Sequence, residues 1–545
     1  MTDLLASASG AASSTMGVLD VMIFAPILAA IFIAFGAPAR KTTIITATLN
    51  FLLALFLAKS CSGLTPDEHG YFFRAGTEVA SMPKISWAFG IDGMALVLVL
   101  LTTVVTLAAA LFTQKTIAHA KLIFSSVLLI SAGALGAFLS TDVFFFYAFH
   151  ELALIPTFLT IGMAGYGDRK AAAWKITIYL GVGSMILLAG LLALVVHSNA
   201  GQTMTFDMVE LMSSAGSIDG AAQHWIFAVL FVGFGILISL FPFHSWAAPA
   251  YASAPTPITM MHAGVLKKFG LYGLLRLAIP LLPQASQGWA INVLLVLLLG
   301  NIIWVGLITI AERSLDTMLA NSSVMHMGYL FLGVASFNTL GASGAVILMF
   351  AHGVSIALLF GLCGRLRDDL GTSRFDMLGG LAVSAPGFAL MFGLAAFASI
   401  GLPGFANFAG EVMVFLGSFK DFGGQIGRLQ ISAILAVWGI VISAVYMLRA
   451  YRHIFQGESP VAMRGIDIKP GWMLPSTLLV AALLIVGLVP NTLLQYGLAS
   501  PDLHVASSAD PALPAEVAPA NPDAHVHGAD AGHEKVAPQT KPAAH

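Results

Sequence analysis

The chain has 545 residues, is 58% hydrophobic and only 10% charged, with a mean hydropathy of +0.88 and a formal net charge of −2. Soluble domains carry about 25% charged residues, so a soluble globular protein is excluded, and the charge balance argues against a nucleic-acid partner. The two cysteines, Cys61 and Cys363, form no CxxC pair and no cluster-ligating spacing, and no phosphate-binding glycine loop is present, so redox or nucleotide chemistry would have to lie on another chain.

The first residues lack the basic run that opens a signal peptide, and Val18–Phe35 reads as a membrane span. A helix needs about 20 apolar residues to cross the hydrocarbon. On that measure spans fall near 18–38, 43–59, 92–113, 121–139, 141–164, 172–196, 224–243, 255–283, 288–311, 317–336, 341–364, 376–418, 428–448 and 472–496. The fold class is therefore an all-α polytopic membrane protein of about fourteen transmembrane helices. Segment 60–91, with its glycines, prolines and aromatics, reads as a long loop able to form a small hairpin. The seventh span is interrupted at Phe241-Pro242 and the twelfth at Ile400-Gly401-Leu402-Pro403-Gly404, where proline and glycine break the helical ladder. Paired interruptions in matching halves point to a transport site. These two lie five spans apart, an odd number, which would make the halves inverted.

Lysine and arginine set the orientation. The odd-numbered loops hold fourteen, from Arg40 and Lys41 to Arg464 and Lys469, while the even loops and both tails hold seven, Lys59, Arg74, Lys84, Lys420, Arg428, Lys535 and Lys541. The odd loops are expected in the cytoplasm and both termini on the opposite side. The domain reading is 1–120 for helices 1–3, 121–283 and 288–450 for two half-channels, 451–497 for the last helix, and 498–545 for an Ala/Pro/His-rich tail expected to be disordered. The tail histidines His504, His525, His527, His533 and His545 read as part of a solvated segment, and no metal site is expected.

Ionisable residues in mid-span are costly and usually functional. Glu151 lies in FFFYAFHELALIPTF, with His150 beside it but about 100° round the helix. Lys175, one to two turns into the sixth span, could snorkel or pair with Glu151. Lys267 and Lys268 stand in the middle of the eighth span, in MHAGVLKKFGLYGLLR, facing different directions, with His262 upstream. His326 and His352 are mid-span in the tenth and eleventh helices, and their ordinary pKa suits relay work near neutrality. His244 adjoins the first break and Glu411 follows the second. Asp92 and Asp142, at span ends, read as caps or anchors. Acids, lysines and histidines at similar depth on many helices have the composition of a lateral proton wire.

The stretches FYAFHELALIPTF, FPFHSWAAPAYASAPTPITMMHAGVLKKFGLYGLLR, SSVMHMGYLFLG, FAHGVSIALLFGLCGRL and LPGFANFAGEVMVFLGSF resemble the antiporter-like subunits of respiratory complex I, most of all the M type (chain 4). The resemblance implies fourteen helices, two inverted five-helix repeats with broken helices 7 and 12, and proton translocation in a NADH:quinone oxidoreductase. FMN, iron–sulfur clusters and quinone are then expected on other subunits, with no cofactor on this chain. The implied partners are antiporter-like L and N types, a small K type and lipid, in a bacterial inner membrane. The same resemblance leaves open an Mrp-type Na+/H+ antiporter and a hydrogenase-linked or bicarbonate-uptake complex.

By the resemblance, Glu151 matches the fifth-helix glutamate, Lys268 the central lysine and Glu411 the M-type glutamate of the twelfth helix. The family usually has a lysine four residues before FPFH, where this chain has Leu237, followed by Ser239 in place of the usual proline. His150 replaces a tryptophan, and Ala247–Tyr251 reads AAPAY where LPDAH is usual. Lys175 or Lys267 is therefore the expected cation for Glu151. The expected proton pathway is Glu151, Lys175, Lys267, Lys268, His244, His326, His352 and Glu411.

Overall fold

The computed structural model describes residues 2–114, 117–199, 203–214, 217–421, 423–458 and 470–498. The tail reading, apart from its first residue, lies outside them with its histidines, as do Lys115, Arg464, Lys469, Lys535 and Lys541. Helices α1 (Thr2–Ala34) and α2 (Ala39–Cys61) lead into the hairpin β1 (Phe73–Ser81) and β2 (Lys84–Ile91). The hairpin is antiparallel, with Phe73 opposite Ile91, Ser81 opposite Lys84 and a register shift between Glu78 and Ala80. This is the structure expected of the 60–91 loop.

Next come α3 (Gly93–Phe112), α4 (Ala120–Leu139), α5 (Val143–Ala164), α6 (Arg169–Ser198), the short α7 (Met208–Ser213), α8 (Gly220–Ile238) and α9 (Ala247–Ser253). The chain continues through α10 (256–281), α11 (Pro283–Ala311), α12 (Leu315–Ala335) and α13 (Thr339–Leu370). It closes with α14 (Pro386–Ile400), α15 (Ala406–Phe419), α16 (Arg428–Phe455) and α17 (Pro470–Leu488). Among the described residues, ten helices are long and apolar enough to cross a bilayer, and α14, α15 and part of α17 are shorter apolar helices. This is a multi-pass membrane protein.

Three elements depart from the sequence expectation. The twelfth span does not start at 376: residues 375–377 form a single tight turn, 381–384 a short helix, and α14 begins only at Pro386, where proline suits the first helical turn. The break in the seventh span is wider than Phe241-Pro242, running from Ile238 to Ala247. The eighth span is not a regular α-helix but widens into π turns at His262–Leu266 and Leu274–Ala278.

Helix α3 is apolar on every side and almost wholly buried, as is α13, the pattern of helices inside a bundle. α13 packs against α3, α12 and α15. Its approach to α15 depends on small residues, since a Cβ on Gly410 would stand 2.9 Å from the Leu348 backbone.

Asp92 and Asp142 cap helices as expected. Asp92 accepts from the Ala95 amide at 2.8 Å, and Asp142 accepts from the Phe144 amide at 2.9 Å and from Ser86 of the hairpin at 2.8 Å. Arg74 and Lys84 of the hairpin bond Asp207 and Glu210 at α7. Burial pushes the Glu210 carboxyl up, but hydrogen bonds from Lys84 and Thr205 and the nearby charges of Lys84 and Arg74 together outweigh it and leave the group below its ordinary value.

Asp92 also receives Arg276 Nη2 at 2.6 Å, both side chains being buried. Arg276 Nε donates to Tyr272 Oη at 3.3 Å, and the guanidinium lies 5.2 Å over the Tyr71 ring. Removing one partner of such a pair strands the other charge at a cost of about 3–5 kcal/mol, whereas replacing both by apolar groups is often neutral. Arg276→Met is therefore expected to lower the thermal unfolding midpoint of the detergent-solubilised protein sharply, and the double change Asp92→Leu with Arg276→Met to recover much of it.

Candidate functional site

The first break is held open by one amide. α8 ends at Ile238, and Ser239 takes a left-handed conformation at φ +64°. The Phe241 amide donates to Asn301 Oδ1 at 2.7 Å, and Asn301 Nδ2 donates to the carbonyls of Ser239 at 3.2 Å and Val324 at 2.8 Å. Trp246 Nε1 donates to the Ile236 carbonyl at 3.1 Å. Freed backbone groups at membrane depth must find protein partners; Asn301 on α11 supplies them for two, the Phe241 amide and the Ser239 carbonyl, and its third bond anchors it to α12. Sequence reasoning missed it, although an amide inside LLLGNIIWV was the available signal.

The two lysines follow this break. In the first π turn of α10 the Lys267 amide donates five residues back, to the His262 carbonyl, at 3.2 Å. Such a turn inserts one extra residue and is frequent at functional sites. Lys267 is 1% exposed and Lys268 fully buried, so neither snorkels. Their surroundings differ, as their adjacency predicts. Lys267 Nζ lies 5.1 Å from the Tyr251 ring and 5.8 Å from that of Trp246, and donates to Ser323 Oγ at 3.4 Å. Lys268 Nζ donates to the Ala263 carbonyl at 2.7 Å. Tyr251 Oη and His262 Nδ1 are 2.9 Å apart.

Beyond Lys267 the polar groups continue across α12, α13 and α15. Ser323 Oγ is 3.3 Å from His352 Nε2. The rings of His326 and His352 stand 5.3 Å apart between centroids, and His326 Nε2 is 3.3 Å from Tyr446 Oη, itself 2.8 Å from Ser322 Oγ. One turn beyond His352, Ser355 Oγ donates to the His352 carbonyl at 3.2 Å and accepts from Asn407 Nδ2 at 3.4 Å. Asn407 lies one turn before Glu411 on α15, on the same face.

Glu411 is 3% exposed. Its carboxylate fills the space a Cβ would need at Gly401, which sits in the second break at φ +84°. Glu411 Oε1, His326 Nδ1, His352 Nδ1 and Asn407 Oδ1 are buried without a protein partner. Buried polar atoms of this kind call for an explanation. Sequence reasoning named His326, His352, Lys267, Lys268 and Glu411. It passed over Ser322, Ser323, Ser355, Asn407 and Tyr446, because single serines and tyrosines in apolar helices carry no distinguishing pattern.

The first half differs from expectation. Glu151 pairs with neither Lys175 nor Lys267 among the described residues. Its Oε1 is 3.6 Å from His150 Nδ1 and accepts from Ser184 Oγ, which is 3.0 Å from Tyr147 Oη. The imidazole therefore bends towards its neighbour despite the helical offset, and its ring stacks on Phe269, 4.0 Å away. Glu151 is also no deeply sequestered carboxylate, since its side chain is 31% exposed. Lys175 is half-buried on α6, with no carboxylate in ion-pair range among the described residues. His244 is half-buried in the first break, stacked 5.5 Å from Phe241, with Nδ1 unpartnered. Leu237, where the resemblance places a lysine, is 6% exposed and packed in the core.

Comparison with known proteins decides the family. Residues 140–443, more than half of the chain, match the family described as NADH:quinone oxidoreductase/Mrp antiporter, transmembrane. The chain belongs to this family. It is 33% identical over 515 residues to an NAD(P)H-quinone oxidoreductase chain 4 of Picosynechococcus, covering 93% of this chain and 95% of that one. It is 32% identical over 491 residues to the NADH-quinone oxidoreductase subunit M of Rickettsia prowazekii, covering 88% and 96%. A chain of respiratory complex I from Thermus thermophilus superposes with a TM-score of 0.79 at 29% identity, over 90% of this chain and 98% of that one. A chain of the Mrp complex from Dietzia, 22% identical with a TM-score of 0.77, shares the fold over 90% and 98%.

Within this family fold, the role of Asn301 is open to a direct check. Asn301→Leu leaves the Phe241 amide and the Ser239 carbonyl short of partners, at about 1–3 kcal/mol for each buried group left unsatisfied. The variant is expected to melt at lower temperature in detergent and to show faster hydrogen exchange at 239–246 than elsewhere.

Proposed function

We propose that this chain is the M-type, proton-translocating membrane-arm subunit of a NADH:quinone oxidoreductase. The observation that carries the reading is the succession of polar contacts from Lys267 through Ser323 to the His352 ring, taken up again from the His352 carbonyl through Ser355 to Asn407, one turn from Glu411 at the second break. Stationing a charge at mid-membrane costs about 2.5–3.5 kcal/mol even on the lowest scales, and a pathway accounts for that cost on several helices at once.

In this reading the chain carries no redox centre. NADH, FMN, iron–sulfur clusters and quinone belong to other subunits, and antiporter-like L and N types and a K type flank it in the membrane arm. A redox-driven change elsewhere alters the charge at one site, and each altered charge shifts the proton affinity of the next. Glu151 with His150 lies at the entry side, Lys175 and His244 near the first break, Lys267 and Lys268 at the centre, and His326, His352 and Glu411 in the second half-channel. The half-channels run through 121–283 and 288–450. The odd loops face the cytoplasm and both termini the other side of a bacterial inner membrane, in keeping with the fourteen-to-seven bias of basic residues.

Two experiments test this. Lys268→Ala and Glu411→Ala, each in the assembled complex in membrane vesicles, are expected to lower proton translocation per NADH oxidised several-fold; unchanged pumping in both defeats the reading. Leu237→Lys probes the first half. A rise in pumping means that half is impaired by the leucine, and a fall means that His150 or another group has taken over the role of the absent lysine.

A further inference from the structure

Taking the proton-path reading as its base, we propose that Ser323 is a hydroxyl relay through which Lys267, and not Lys268, passes its proton to His352. Three features of the geometry support it. Lys267 Nζ lies against the ring faces of Tyr251 and Trp246, which favour its charged form in a site with no carboxylate in ion-pair range among the described residues. Its ammonium donates to Ser323 Oγ at 3.4 Å, and the same oxygen is 3.3 Å from His352 Nε2. Lys268, by contrast, donates to the backbone of its own helix.

A serine hydroxyl has one proton and two acceptor positions, so it can accept from the lysine while donating to the imidazole. In the step, an N–H bond of the Lys267 ammonium breaks and an O–H bond forms on Ser323. The original Ser323 O–H breaks and an N–H bond forms at His352 Nε2. The serine ends unchanged, the lysine neutral and the imidazole positive; one proton moves and no electron does. His352 Nδ1 is buried and free of protein partners, so the imidazolium can release a proton from its other side. One turn on, Ser355, bound to the His352 backbone carbonyl, and Asn407 lie towards Glu411. Tyr446 bonds His326 rather than His352, and Ser322 bonds Tyr446, which makes them a side branch and not the link.

The test uses the assembled complex in sealed membrane vesicles, reading protons moved per NADH oxidised. A positioned proton donor contributes about 10²–10⁴-fold to a transfer rate. Ser323→Ala and Lys267→Met are therefore each expected to lower translocation about tenfold or more at normal assembly, with the double variant no worse than either single change, because both interrupt one step. Lys267→Arg retains a cation but cannot release its proton, so it is expected to fail as Lys267→Met does; this variant decides the question should Ser323→Ala not assemble. Wild-type translocation in Ser323→Ala or Lys267→Arg overturns the relay, as does a double variant whose loss is the product of the two single losses. Lys268→Ala and Glu411→Ala in the same vesicles separate the outcomes: if these lose pumping while Ser323→Ala keeps it, the relay fails and the broader reading stands.

Discussion

Hydrocarbon offers no hydrogen bonds, and this structure is organised by that fact. Every polar group the chain places at membrane depth must be satisfied by the chain itself or left for protons and water. The breaks in the seventh and twelfth spans show both solutions. At the first, Asn301 bonds the freed groups of Phe241 and Ser239 and ties them to α12 through Val324. At the second, two glycines with positive φ turn the chain, and the Glu411 carboxylate is packed against one of them with an oxygen left unpartnered. One break is held by a fixed amide; the other leaves a buried carboxylate oxygen without a protein partner.

The same constraint explains where the proposed pathway lies. α3 and α13 are buried nearly all round, so the volume around them is the part of the bundle most remote from lipid. Lys267, Lys268, His326, His352 and Glu411 all come from helices that pack on α13 or on its neighbours. The π turn of α10 adds a residue just before the lysine pair and so sets the direction from which each ammonium enters that volume. The first half is built otherwise. There the carboxylate is partly exposed, held by an adjacent imidazole and a serine, and the imidazole stacks on Phe269.

Much of this was legible in the residues. Apolar runs gave the membrane class and nearly every span, because about twenty residues are needed to cross the core whatever the fold. Proline and glycine marked both breaks, Asp92 and Asp142 announced themselves as caps, and the deep lysines, histidines and Glu411 stood out because charge in hydrocarbon is rare. The family followed from long motifs around those same residues. The π turns did not show, since they depend on how α10 packs against its neighbours and leave no periodicity of their own. The start of α14 was misplaced by ten residues because an apolar run can continue through non-helical backbone.

Sequence alone therefore determined that the chain lives in a membrane and where its helices break, and it singled out Lys267, Lys268, His326, His352 and Glu411, which are buried, since each of these follows from composition and local spacing. Tertiary structure decided which of those groups meet. Glu151 took His150 and Ser184 rather than a lysine, the two adjacent lysines went to different partners, and unremarkable serines and an asparagine became the connections. Contacts across helices are set by rotation and packing in three dimensions, and a linear pattern of residues does not contain them.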